Sequence, residues 1–317
     1  METGETMKES FQLLSTDGKT RLQGYLWTCD DPKWILQLSH GMAEHILRYA
    51  PLAEWMNLRG ILVVGHDHLG HGKSARADHH GYFHSSSVEK GLVQDLYQVT
   101  KYVKGRYPEL PIVVLGHSMG SFVLRNYLYT HSRAIDGAVI VGTGQQPNWL
   151  TRAGKTAASL IGSVKGDYHK SKLIDRLAFG GNNRKIKHPR TDKDWLVSLP
   201  HEVDAYLADQ FCGFLFTVNG YQELFSYIID SQDKEKIREI PSELPLLFLS
   251  GMEDPVGEYG KGVLKAAKSY RNAGIKQIEV RLYENARHEV LNERQKEQVF
   301  CDLFKWLGKI EAKEYSS

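Results

Sequence analysis

With 317 residues the chain is long enough to bury a full core and sits at the upper end for one domain, so one domain carrying an insertion is the first expectation. A formal charge of +2, with 25% charged residues of both signs, supplies no global basic field and argues against nucleic acid as a partner. The polar start at 1–12 lacks the features of a secretion signal, the longest apolar runs (61–64 and 244–249) are far too short to span a bilayer, and Cys29, Cys212 and Cys301 are too scattered for a disulfide framework or structural zinc, so a soluble, cytoplasmic chain is expected.

Taken in chain order, β-rich runs alternate with helical patterns. Strands are expected over 11–15, 21–27, 34–39, 61–66, 112–115, 138–141, 246–250 and 277–283, the first two joined as a hairpin through Asp17 and Gly18. Helices are expected over 49–57, 88–104, 118–129, 262–272 and 294–306, each with an apolar stripe at helical spacing. That alternation predicts an α/β fold with helices packed on a mostly parallel sheet. About a hundred residues separate the strands at 138–141 and 246–250, far more than a crossover needs. Residues 147–230 are therefore expected to form a cap over the carboxyl edge of the sheet, where open α/β sheets bind ligands, leaving 1–146 and 231–317 as the core.

The run Pro111-Ile-Val-Val-Leu115 leads into Gly116-His117-Ser118-Met119-Gly120 and then into an apolar helix. This is the strand, tight turn and helix that a GxSxG nucleophile elbow needs, because glycines two residues to either side of the serine let strand and helix approach. Ser118 is thus the candidate nucleophile, with the amide of Met119 aimed at a developing oxyanion. A serine hydroxyl needs a base, and the base an acid, in the chain order serine, acid, histidine. After the strand at 246–250 comes Ser250-Gly-Met-Glu-Asp254-Pro255, where Asp254 is preferred to its neighbour Glu253 because the proline biases it to an extended, turn-like backbone. After the last strand comes Glu284-Asn-Ala-Arg-His288, and His288 is the only histidine beyond His201, which makes it the candidate base. The loop His40-Gly41-Met42-Ala43-Glu44-His45 follows the third strand, where the second oxyanion amide of such a site is found, and Met42 is the expected donor.

Two further runs invite other chemistry. His66-Asp67-His68-Leu69-Gly70-His71, with His79, His80 and His84 behind it, is rich in metal-ligand types, but it has neither an HExxH helix nor a cysteine partner, so no metal is expected there. Gly70-His-Gly-Lys73-Ser74 mimics the end of a phosphate-binding loop whose first glycine is replaced by Asp67, which rejects it.

Five motifs together, His40 to Tyr49, Asp67 to Ser74, the elbow, Ser250 to Pro255 and Glu284 to His288, resemble the monoacylglycerol lipase and lysophospholipase branch of the α/β-hydrolases. The resemblance spans about 11–307 and implies cofactor-free hydrolysis of single-chain acyl esters by Ser118, Asp254 and His288, beneath a mobile cap over an acyl channel. Pro255-Val-Gly-Glu-Tyr-Gly260 departs from the animal lipase toward bacterial members, which leaves headgroup and chain length open.

Within the expected cap, the apolar stretch at 211–216 with Tyr221, Leu224, Phe225 and Ile228 suits either an acyl channel or packing on the core. Residues 151–195 carry eleven Lys and Arg against four Asp, which allows peripheral contact with anionic lipid or a lean toward lysophospholipid, alongside the plainer reading of a solvated face. The competing activities are a carboxylesterase for short soluble esters and a serine peptidase, the latter needing an acidic anchor that a basic cap does not favour. A non-catalytic binding protein of the same fold is the remaining class. Oligomeric state is not legible.

Overall fold

In the computed structural model, which describes residues 7–76, 78–83 and 91–310, eight strands form one sheet. They are β1 (Met7–Leu14), β2 (Arg21–Thr28), β3 (Trp34–Ser39), β4 (Ile61–His66), β5 (Ile112–His117), β6 (Gly137–Val141), β7 (Leu246–Gly251) and β8 (Ile278–Tyr283). Their order is β1-β2-β4-β3-β5-β6-β7-β8; β1 and β2 pair antiparallel, β2 pairs antiparallel with β4, and all other neighbours are parallel. The parallel strands are nearly all apolar because both faces of the sheet are covered. Ile35, Leu62, Val64, Val114, Ile140 and Phe248 point into one core. Their immediate neighbours Leu36, Val63, Leu115, Val141 and Leu249 point into the other, as the two-residue repeat of a strand requires.

Ten α-helices lie among the described residues: α1 (Ala50–Asn57), α2 (Leu92–Arg106), α3 (Met119–His131), α4 (Asn148–Lys165), α5 (Lys172–Phe179), α6 (Pro200–Ala208), α7 (Val218–Ser231), α8 (Lys234–Arg238), α9 (Lys261–Asn272) and α10 (Lys296–Leu307). Helices α2, α3 and α9 pack on the first face, α1 and α10 on the second. The mostly parallel α/β sheet is the one that the alternation predicts, and its arrangement is the α/β-hydrolase fold that the resemblance implies. Element ends shift by a few residues from the sequence expectation. β5, for example, continues to His117 because its ladder with β6 runs on through the pair His117 and Val141, and α3 starts one residue later than expected because Ser118 is not helical. Position 88, where α2 was expected to begin, lies outside the described residues, as does His84.

Helices α4 to α8 stand between β6 and β7, and α4 to α7 form the excursion that leaves the sheet and returns at Ser231. The buried guanidinium of Arg125, on α3, fastens both ends of this excursion. It donates to the carbonyl of Gly144 at 2.9 Å and to Gln145 Oε1 at 3.1 Å on the way out, and to the carbonyl of Ser231 at 2.9 Å on the way back. Tyr270 and Thr143 hydroxyls accept its remaining bonds at 3.2 Å. Removing this donor strands several buried acceptors, each costing about 1–3 kcal/mol. Arg125→Ala is accordingly expected to lower the unfolding free energy by about 3 kcal/mol or more, read from a urea transition, and an unchanged midpoint would refute the clamp.

Candidate active site

Ser118 sits between β5 and α3 with φ 53° and ψ −118°, a backbone conformation that costs a non-glycine residue about 1–3 kcal/mol. The flanking glycines make the turn possible. A Cβ on Gly116 would lie 2.3 Å from the carbonyl oxygen of Gly120, and one on Gly120 would lie 2.1 Å from that of Ser39, so any side chain at either position drives the helix off the sheet. The amide of Ser118 donates to the carbonyl of Val141 at 3.0 Å, which anchors the turn to β6.

Asp254 follows β7 on a tight turn and is fully buried, accepting from the amide of Val256 at 2.8 Å and from Ser250 Oγ at 3.3 Å. Its neighbour Glu253 is half exposed and turned to Arg287, 3.8 Å away. His288 follows β8, and its Nδ1 lies 3.0 Å from Asp254 Oδ1 while its Nε2 lies 2.8 Å from Ser118 Oγ. Nδ1–H therefore donates to the carboxylate, and Nε2 is left as the acceptor for the serine proton. Gly251 lets the acid and histidine loops touch, since a Cβ there would lie 2.1 Å from the carbonyl oxygen of Ala286. The Trp195 ring, 5.1 Å from that of His288, covers the imidazole from the insertion side.

Ser118, Met119, Met42 and His288 line one cavity of about 600 Å³, within the range that holds a lipid-sized ligand. Its wall is mostly apolar and draws on the core (Phe122, Val256) and on the insertion (Leu150, Ile174, Leu177, Phe225). Phe225, Leu224 and Ile228 of the stretch singled out in the sequence reach this wall, whereas Tyr221 is buried against Phe216 and bonds Asp175.

A buried polar network that sequence reasoning did not identify lies behind the histidine. Arg48 binds Glu289 through both terminal nitrogens, at 2.9 and 2.7 Å, and Glu44 at 2.5 Å. Glu44 also accepts from the amide of Gly41 at 2.5 Å and from Tyr49 Oη at 2.9 Å, fixing the loop one residue before Met42. Burial opposes charge on both glutamates, yet Arg48 outweighs it and holds them below the usual carboxylate range. Burial likewise opposes charge on His117, but its contact with Glu44 prevails and raises its pKa. The network ties the loop after β3 to the residue that follows His288. The spacing of Glu44 and Arg48, four apart, was a readable signal; Glu289, 241 residues from Arg48, was not.

The histidines after β4 form a buried cluster with His40. His40 Nε2 accepts from the amide of His68 at 2.9 Å while its Nδ1 donates to the carbonyl of Gly41 at 2.8 Å, so this ring is the neutral Nδ1–H tautomer. Ser39 Oγ lies 3.0 Å from His68 Nε2, and both nitrogens of His66 find no partner among the described residues. Burial depresses the pKa of His40 and His66 to about 3 and that of His68 and His71 well below its usual value, neighbouring rings adding to the effect in the last two. Unfolded histidine takes up its proton near pH 6.5, so between there and about pH 3 the unfolded chain binds more protons than the folded one. The stability that neutral burial provides is complete above pH 6.5 and is lost as pH falls. Each such group removes about 1.4 kcal/mol per pH unit, and Asp95, which burial raises to about 6, and Asp67, which burial also raises, offset two of them by taking up protons in the folded state. A net loss of about 2–4 kcal/mol per unit is expected between pH 6 and 4, followed by urea midpoints at stepped pH; a flat profile would contradict it.

Comparison with known proteins adds to this geometry. A family model described as serine aminopeptidase, S33, matches residues 30–295. A monoacylglycerol lipase of Mycolicibacterium smegmatis is 27% identical over 291 residues, covering 92% of this chain and 94% of that one. A monoglyceride lipase of Mus musculus is 27% identical over 277 residues, 87% of this chain and 82% of that one. A carboxyl esterase from Bacillus coagulans, solved in complex with glycerol, superposes with a TM-score of 0.89 at 27% identity, covering 96% of this chain and 99% of that one.

Proposed function

The chain belongs to the serine aminopeptidase S33 family, in its monoacylglycerol lipase branch, and from that premise we propose that it hydrolyses single-chain acyl esters with Ser118, His288 and Asp254 as its catalytic residues. It is a carboxylic ester hydrolase. The observation that carries the finer reading is the hydrogen-bonded series from Ser118 through His288 to Asp254, opening into an apolar cavity of about 600 Å³.

In this reading His288 Nε2 takes the Ser118 proton as Oγ bonds to the ester carbonyl carbon. The carbonyl oxygen gains the electron pair and is met by the amides of Met42 and Met119, donors that are each worth about 3–4 kcal/mol in comparable sites. Collapse breaks the bond to the alcohol, which leaves with the proton from His288, and the acyl group remains on Ser118. Water repeats the sequence and frees the fatty acid. Asp254 holds the imidazole in its productive tautomer and stabilises the cation formed in each half.

Peptide cleavage is disfavoured by the state of the carboxylates along the cavity. Glu44 and Glu289 are engaged by Arg48, which leaves Asp175, itself accepting from Tyr221 Oη at 2.9 Å, as a lone carboxylate against a locally basic insertion. We take residues 147–230 as the cap. No helix among the described residues is long and apolar enough to cross a membrane. Trp149, Leu160, Val164, Leu173 and Leu177 are nonetheless exposed on α4 and α5, and Leu177 also lines the cavity, which supports peripheral contact with lipid at its mouth.

A release assay over monoacylglycerols, lysophospholipids, short esters and aminoacyl amides tests this reading. Monoacylglycerols of medium or long chain are expected to turn over fastest and amides not measurably; faster cleavage of amides would overturn it. Faster release from lysophospholipid, abolished by charge reversal at Lys185 and Lys187, would instead favour the phosphate headgroup. In a vesicle arm with phosphatidylglycerol, Leu160→Asp with Val164→Asp should weaken co-sedimentation, and unchanged binding would remove the lipid-surface role.

A further inference from the structure

His45, Asp209 and Cys212 meet behind the cavity wall, where their chain neighbours Glu44 and Gly213 line it. His45 belongs to the loop that carries Met42, while Asp209 and Cys212 form a turn after α6, closed by a bond from the Cys212 amide to the Asp209 carbonyl at 3.0 Å. Their ligand atoms, an imidazole nitrogen, a carboxylate oxygen and a thiol sulfur, all lie within 4.8 Å of one another, and His45 Nε2 is 2.8 Å from Asp209 Oδ2. The sequence carried no metal signature here because His45 and Asp209 are 164 residues apart.

We propose that His45 Nε2, Asp209 Oδ2 and Cys212 Sγ bind a thiophilic divalent cation, with zinc(II) as the best fit, and that the ion braces this part of the cavity wall. One nitrogen, one oxygen and one sulfur ligand suit a tetrahedral zinc whose fourth position is water. Bonds of about 2.0–2.3 Å to a tetrahedral centre hold ligand atoms roughly 3.3–3.8 Å apart, so the His45 and Asp209 atoms, 2.8 Å apart, must part slightly while the thiol draws in by roughly 1 Å, both within the reach of side-chain rotation. The surrounding charge favours a cation. Arg48 stands near the thiol, but Glu44 and Glu289 both bind it, and Asp209 adds a further negative charge.

Binding releases the thiol proton of Cys212, which burial otherwise retains well above the usual range, while His45 turns to the tautomer with its proton on Nδ1 and so frees Nε2, now facing Asp209, for the ion. Affinity should therefore rise with pH. The ion would add to two bonds already joining the same segments, from the Gly213 amide and from Tyr206 Oη to the carbonyl of Ala43, each 2.9 Å. With Ala43 directly after Met42, a brace at this point stiffens the oxyanion loop and this part of the wall together.

The test uses the full chain stripped with a chelator and then titrated with cobalt(II) and zinc(II). One equivalent of cobalt is expected to produce thiolate-to-cobalt charge-transfer absorption, displaced by zinc and absent with magnesium. Cys212→Ser should abolish the band, and Asp209→Asn should weaken zinc binding at least tenfold by equilibrium dialysis. Absence of the band in the unsubstituted protein overturns the site, as does a band that survives in Cys212→Ser. Saturating zinc should slow ester release in the unsubstituted chain but not in Cys212→Ser, and binding without that slowing would overturn the bracing role. Ser118→Ala should bind the metal unchanged, so failure of this site is distinguishable from failure of the hydrolase reading.

Discussion

Ser118→Ala is expected to reduce ester turnover by about a millionfold, leaving the fold and the cavity intact. The size follows from the geometry. Once Oγ is removed, His288 Nε2 has no nucleophile to deprotonate, and Asp254 stabilises a cation that no longer forms, so the three groups fail as a unit rather than by a third each. What survives is the assistance of the Met42 and Met119 amides to direct attack by water. A fluorophosphonate should label the unsubstituted chain at Ser118 and leave Ser118→Ala unlabelled. Equal labelling of both, or turnover within tenfold of the unsubstituted chain, would place the nucleophile elsewhere and revive the binding-protein reading.

Asp254→Asn should cost about 10⁴ in turnover with little change in KM. Asp254 Oδ1 accepts from both the Val256 amide and His288 Nδ1, so an asparagine that keeps its oxygen there lacks the charge that stabilises the imidazolium, and one that turns its N–H to Nδ1 drives the ring to the tautomer whose Nε2 cannot accept from Ser118. Because Asp254 is fully buried and bonded to the amide of Val256, the substitution is nearly isosteric and tests protonation rather than packing. Glu253→Gln is the matched control. Its side chain is half exposed and faces Arg287 at 3.8 Å, so turnover should stay within about twofold. Reversal of the two results would transfer the acid to Glu253.

Much of the site could be read from local patterns because each part is a short run bound to a strand end. Gly116 and Gly120 announce the elbow, since a side chain at either place collides with backbone, and that requirement is written in adjacent residues. The proposed acid is the carboxylate singled out by the proline after Asp254, and the proposed base is singled out by the scarcity of histidine beyond His201. The histidine run after β4 was legible in composition but not in its role. Only the folded structure shows that burial keeps these rings neutral and that the loops after β3 and β4 are joined by a hydrogen bond of 2.9 Å from the His68 amide to His40 Nε2.

The Arg48 pairing with Glu289 and the meeting of His45 with Asp209 and Cys212 had no local signal at all. By itself, then, the sequence determined the alternation that builds the sheet, the strained turn at Ser118 and the chain order of the proposed nucleophile, acid and base. Tertiary structure decided which carboxylate faces His288, how the carboxylates along the cavity are engaged, and what walls the acyl space. The division is physical: glycine spacing and strand periodicity act over a few residues, whereas burial, ion pairing and cavity shape depend on side chains that only the folded sheet and its insertion bring together.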